Sequence, residues 1–177
     1  TTSNFFGRAS DADWDVVGNG PLYGSIWLKV SNNSSNQELL YIAKSDATVR
    51  FDIIINNDGT LGGEHFGDGT ETSVSSTQRY DDGAWHKADL VRVSNNELHF
   101  YVDGVSMGTS TTDAGSLSDS GNLPLGIGAR NDGSGSLPAL DCYLSLCKLS
   151  ATAPTAAQIK AMYEAEKGLF VASAKCL

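Results

Sequence analysis

Short apolar stretches that alternate residue by residue with polar ones, and stop at Gly, Asn or Asp, recur along this chain and point to a strand-rich fold. Val49, Phe51, Ile53 and Ile55 face one way and Arg50, Asp52 and Asn56 the other, and Asn57-Asp58-Gly59 then supplies residues tolerant of positive φ. Leu98, Phe100 and Val102 alternate with His99, Tyr101 and Asp103, after which Asp103-Gly104 turns the chain into Val105 and Met107, a hairpin pattern. Tyr23 to Val30 makes an early strand, with Ile26, Leu28 and Val30 on one side and Trp27 on the other. Leu123, Leu125, Ile127 and Ala129 share a face, and Cys142 to Leu149 reads as a last long strand. About ten or more short strands are expected.

One segment departs from this period. Thr155 to Lys167 places Ile159, Met162, Tyr163 and Glu166 at helical spacing, with Thr155 and Gln158 as a capping box behind Pro154 and Gly168 as a stop. Its Ile159/Met162/Tyr163 stripe is expected to lie on the strands as packing. Stretches rich in Ser, Asn and Gly, namely 31–36, 67–78, 110–121 and 131–136, read as loops, and no clear repeat suggests a solenoid or propeller. Many strands and one terminal helix in 177 residues predict a single all-β domain, an antiparallel two-sheet sandwich.

Composition narrows the partners. A net charge of -9 would repel polyanions, so nucleic acid is a poor candidate. Apolar runs such as Ile53 to Ile55 fall far short of the ~20 residues that span a bilayer. Thr1, with no initiating Met and no leader, is expected to mark the edge of a domain excised from a longer protein. The three cysteines, Cys142, Cys147 and Cys176, form no even framework. On one regular strand Cys142 and Cys147 would lie about 16 Å apart on opposite faces, which predicts free thiols. His65, His86 and His99 share no metal-ligand spacing.

Asp82-Gly83-Ala84-Trp85-His86-Lys87, then Leu98 to Gly104, then Leu125-Gly126-Ile127-Gly128, together with Gly24-Ser25-Ile26-Trp27-Leu28-Lys29, resemble in order and spacing the core of concanavalin A-like, laminin G-like jelly-roll domains. The resemblance covers roughly residues 14 to 165 and implies a jelly roll with Trp27, Trp85, Phe100 and Ile127 in its structural core. The C-terminal stretch, from Leu149-Ser150-Ala151-Thr152-Ala153-Pro154-Thr155 through Gln158-Ile159 to Tyr163-Glu164-Ala165-Glu166-Lys167-Gly168-Leu169-Phe170, is similar to modules of tailed-bacteriophage virion proteins. That similarity implies a place on a fibre, tail or capsid exterior, with other virion subunits or further copies of itself as partners.

Members of the laminin G-like and pentraxin-like groups bind calcium at one rim through Asp and Asn oxygens. Asn131, Asp132 and Asp141 lie near the corresponding final loop and are the candidate calcium ligands, although Pro138-Ala139-Leu140-Asp141 stands where the family has Gly-x-Ile-Asp. Solvated turn residues are the competing reading, and no other cofactor is indicated. Candidate glycan contacts are Trp14, whose ring could stack on a sugar, and the loop residues Asn33, Asp68 and Asn131, on rim loops at 32–37, 67–72 and 131–136. His86 reads as structural, stacked or hydrogen-bonded at a sheet edge.

A glucanase on this fold needs carboxylates alternating along one strand. The six glutamates, Glu38, Glu64, Glu71, Glu97, Glu164 and Glu166, contain no Glu-x-Asp-x-Glu, and no Gly-x-Ser-x-Gly elbow occurs, so no catalytic residue is assigned. The expectation is a non-catalytic virion-surface structural module that also contacts host-surface glycan. A secreted or cell-surface carbohydrate-binding module is the alternative, and a polysaccharide-degrading enzyme the weaker one.

Overall fold

Period-two alternation becomes two chemically distinct faces once strands pair, and pairing here runs through two sheets. A computed structural model describes residues 6–8, 18, 20–43, 49–67, 70–117, 124–129 and 142–170. The strands are β1 (Phe6–Arg8), β2 (Leu22–Ser31), β3 (Gln37–Ala43), β4 (Arg50–Ile55), β5 (Thr60–Gly67), β6 (Thr70–Arg79), β7 (Asp82–Ser94), β8 (Glu97–Val102), β9 (Val105–Ser110), β10 (Leu125–Ile127) and β11 (Cys142–Ser150). Six form one sheet in the order β1-β10-β3-β4-β5-β6 and five the other, β11-β2-β7-β8-β9. Neighbouring strands in both sheets are antiparallel. The expected jelly-roll sandwich is therefore observed.

Between the sheets lie Leu22, Ile26, Leu28, Leu40, Ile42, Phe51, Ile53, Leu90 and Phe100, all without solvent exposure. Two inward glycines set how closely the layers approach. A Cβ on Gly63 would sit 2.4 Å from Leu90 Cδ1 and 2.8 Å from Phe100 Cδ2, and one on Gly24 would sit 2.6 Å from Leu40 Cδ2. The two bulky side chains on one sheet and the pair opposite Gly24 on the other thus fill each other's gaps.

Outside the five-stranded sheet lies α1 (Ala156–Glu166), capped by Thr155 and Gln158 in the expected reciprocal box. Ile159 packs with Tyr23, Val91 and Tyr101 on the outer sheet face. Glu166 accepts from Trp27 Nε1 at 2.8 Å, pairs with Lys148, and lies 3.6 Å from Lys87 Nζ. Lys87 and Asp89, both without exposure, pair at 2.9 Å, and Tyr23 donates to Asp89 at 2.7 Å. Charged groups on the outer face are thus matched by the helix that covers them. Trp27 is buried under this cover, stacked on Phe170 with ring centroids 4.2 Å apart, so it does not lie between the sheets. Trp85 shares the outer face and is half-buried against Phe170, 4.8 Å away, which corrects its expected core position. Phe100 is fully buried between the sheets, and Ile127 is half-buried against that core.

Three further expectations are corrected. Residues 70–79 form β6 and are not a loop: Thr72, Val74 and Ser76 point inward, small enough for an edge position despite their polar look. Two extra β6 residues break the ladder opposite Thr60–Gly62, and Ser76 Oγ repairs it by accepting from Leu61 N at 3.0 Å. In β11 a bulge between Ser145 and Lys148, with Leu146 at φ 45°, shifts the alternation by one residue. Cys142 and Cys147 therefore both pack against the core, not turned to opposite faces, and Cys147 is a free thiol. Gly168 does not end the helix in a left-handed cap, because α1 tightens into a 3-10 turn over Lys167–Leu169.

Gly63→Ala should destabilise the domain by about 2 kcal/mol through overpacking against Leu90 and Phe100, while Gly20→Ala, which meets nothing within 4 Å, should stay within about 0.5 kcal/mol. Urea unfolding of both variants checks the contrast.

Candidate functional site

Four connections gather at one end of the sandwich: β2–β3, β4–β5, β6–β7 and β8–β9. Asp81, in the β6–β7 turn, ties three of them together. Its carboxylate accepts from Asn33 N at 2.8 Å and from Arg79 Nε and Nη2 at 3.0 and 2.7 Å. Its carbonyl accepts from Asn32 N at 3.0 Å. Gly59, at φ 82°, approaches so closely that a Cβ would lie 2.3 Å from Asp81 Oδ1. The Arg79 fork, partly offset by burial, holds the Asp81 carboxyl below its ordinary range.

Beside this brace a cleft of about 600 Å³ opens between the end of β6 and the β8–β9 hairpin. Its depth is formed by Tyr80, Val102 and Met107, its lip by the exposed Arg79, Asp82 and Val105. Tyr80 meets His86 edge to face at 4.9 Å and directs its hydroxyl to Met107 Sδ at 3.8 Å. Asp103 occupies the hairpin turn at φ 53°, followed by Gly104 at φ 73°, the conformation that an Asp-Gly turn favours. Asp103 Oδ1 accepts from Lys87 N at 2.9 Å, which aims Oδ2 at His86 Nδ1, 2.8 Å away. His86 Nε2 lies 3.2 Å from Asp82 Oδ1.

Burial opposes charge on the His86 ring, but Asp103 and then Asp82 outweigh it and raise its pKa. Both nitrogens face carboxylates, which favour the protonated ring and anchor it at both ends, an arrangement suited to holding the turn more than to shuttling a proton. His65 behaves oppositely: burial, reinforced by the Arg92 charge, lowers its pKa to about 3.

The expected site residues distribute unevenly. Asn33 reaches this end, but its amide donates to Ser35 O at 2.7 Å and Asn56 O at 2.6 Å and accepts from Gln37 Nε2 at 3.2 Å. It is 8% exposed, a loop brace with no atom offered to a glycan. Trp14, Asp68, Asn131, Asp132 and Asp141 lie outside the described residues. Gly67 and Thr70 pair at the end of the sandwich opposite to the β2–β3 loop, so the described parts of the rim loops expected at 67–72 and 32–37 do not converge. Among the described residues no group of three or more His, Cys, Asp or Glu is placed to hold a metal ion. The carboxylates that meet on the outer face of the six-stranded sheet come from separate strands: Arg50 Nη2 binds Glu64 at 2.8 Å and Glu71 at 2.6 Å, with Asp52 3.6 Å from Nε.

A family profile described as the concanavalin A-like lectin/glucanases superfamily matches residues 16–160. No curated protein matches by sequence. The carbohydrate-binding module CBM40 of the Ruminococcus gnavus IT-sialidase, solved bound to alpha2,3 sialyllactose, superposes with a TM-score of 0.65 at 14% identity over 92% of this chain and 95% of that one. The heptameric SAP-like pentraxin of Limulus polyphemus gives 0.64 at 16% identity over 92% and 78%. The receptor binding domain of botulinum neurotoxin D gives 0.72 at 10% identity over 94% of this chain but only 42% of that one. At such identities the likeness is one of fold.

His86 links pH to stability with a definite sign. Its pKa is raised by folding, so its contribution is full below the unfolded value near 6.5 and fades as pH rises through the folded value. His65, lowered to about 3, makes stability fall instead as pH drops below about 6.5. Stability should therefore peak near neutrality, and Asp103→Asn, which tolerates the same turn, should flatten the alkaline limb while leaving the acidic one. Thermal unfolding from pH 5 to about 9 reads both limbs.

Proposed function

Because this chain belongs to the concanavalin A-like lectin/glucanases superfamily, we propose that it is a glycan-binding module whose ligand sits in the cleft between β6 and the β8–β9 hairpin. The observation that carries this reading is the lining of the cleft. Carboxylate, guanidinium, amide and hydroxyl groups of Asp82, Arg79, Gln78 and Ser106 surround an apolar depth made by Tyr80, Val102 and Met107. A sugar presents the complementary pair of surfaces, hydroxyls at its edge and C–H groups on its face. The volume of about 600 Å³ lies within the ~300–1,000 Å³ usual for small-ligand sites. Asp81 bracing makes the walls rigid before binding, which reduces the ordering cost. The sialyllactose-bound module of similar fold supports the ligand class.

The setting is part of the proposal: a non-catalytic module displayed on a virion exterior, in several copies, contacting host-surface glycan. It rests on the similarity of the 149–170 segment to phage virion modules, and the heptameric pentraxin supports multiple copies of such a fold. A calcium ion at Asn131, Asp132 and Asp141 remains an expectation of the family resemblance.

A glycan array followed by calorimetric titration tests the reading. One sugar class should bind with millimolar to micromolar affinity, about 4 to 8 kcal/mol. Arg79→Ala and Asp82→Ala should each weaken it about tenfold, the loss of one charge-assisted hydrogen bond. Binding that survives both substitutions would place the ligand elsewhere on the sandwich, and chelator would reveal any calcium requirement.

A further inference from the structure

At the opposite end of the sandwich from the cleft, Arg92 of β7 and His65 of β5 face each other between the sheets, both without solvent exposure. Arg92 Nη1 lies 3.4 Å from His65 Nε2. Arginine has donors only, so Nε2 accepts and the imidazole proton resides on Nδ1. That leaves Arg92 Nε, Arg92 Nη2 and His65 Nδ1, three buried nitrogen donors that find no hydrogen-bond partner. The deficit is entirely one of acceptors.

Charge is also uncompensated. Burial lowers the Arg92 pKa only to about 10, so the guanidinium is cationic at neutral pH. His65 is neutral there. Asp113 is the acidic group felt at His65, but its Oδ1 already accepts from Asn95 Nδ2 and Gly115 N, both at 2.9 Å. A water molecule would satisfy donors without neutralising the cation, whereas an anion does both.

We propose that Arg92, held at Nη1 by His65 Nε2, forms an interior site for a small monovalent anion, bound by its two unpartnered donors, Nε–H and Nη2–H. The ligand must be small, because neither side chain is exposed to solvent. Thr72 Oγ1 donates to Ser110 Oγ at 2.5 Å nearby, and Gly67 packs so tightly under the β9–β10 connection that a Cβ would lie 2.5 Å from Ser116 O. Bound there, the anion neutralises the buried guanidinium whose contact with His65 joins β7 to β5 across the two sheets, and serves stability independently of the glycan cleft.

Chloride is the probe. With ionic strength held constant by gluconate, raising chloride to about 200 mM should lift the melting temperature of the whole chain saturably, by about 3 to 6 °C at a tenfold excess over Kd. Arg92→Leu should abolish the chloride dependence whatever its own stability. Crystals of the unaltered protein grown in bromide give a second readout that survives a variant failing to fold: an anomalous peak within about 3.5 Å of Arg92 Nη2 is expected. No saturable rise, a rise retained in Arg92→Leu, or no peak beside the guanidinium would each overturn the site.

Discussion

Close approach of the two sheets is the constraint on which everything else hangs, and it depends on reciprocal gaps. Gly63 on one sheet admits Leu90 and Phe100 from the other, and Gly24 returns the arrangement by admitting Leu40 and Phe51. The sheets can then close over Ile26, Leu28, Ile42 and Ile53, all buried in one core. Such packing holds the strand ends in fixed relation. The edge strands β6 and β9 are thereby brought near enough to wall the cleft, although they belong to different sheets.

Electrostatics follows the same architecture in two different ways. On the outer face, Lys87, Asp89, Lys148 and Glu166 pair with one another beneath α1, and Tyr23 and Trp27 donate to Asp89 and Glu166. The helix thus matches charge as well as covering apolar surface, which explains how a strand can carry Lys87 and Asp89 without exposing either. Between the sheets no such matching occurs around Arg92. The contrast marks its position as a departure from the rules the rest of the domain obeys.

Sequence reasoning succeeded where one face of a strand is apolar. Val49, Phe51, Ile53 and Ile55 reveal β4, and Leu98, Phe100 and Val102 reveal β8, because burial demands period two. It failed at β6, whose inward side chains are Thr72, Val74 and Ser76, indistinguishable in composition from a loop. The β11 bulge was invisible because it uses Leu146 at positive φ, where no glycine or asparagine announces it. Of the cleft, the Asp103-Gly104 turn and the Trp85-His86 pair were legible as local punctuation. Their meeting with Arg79 and Tyr80 was not, since alternation carries no information on which edges adjoin. Asn33 looked like an exposed loop amide, yet loop closure consumes both ends of it. Arg92 did leave a signal: it continues the inward row of Ala88 and Leu90, so a charge at that register was already anomalous.

The β11 bulge has a chemical consequence. By turning Cys147 toward the core it places the sulfur where burial pushes its pKa up to about 11. At neutral pH the nucleophilic thiolate is then on the order of one part in ten thousand. This thiol is accordingly quiet toward oxidants and disulfide exchange, and the last strand keeps its packing whether its surroundings are reducing or oxidising.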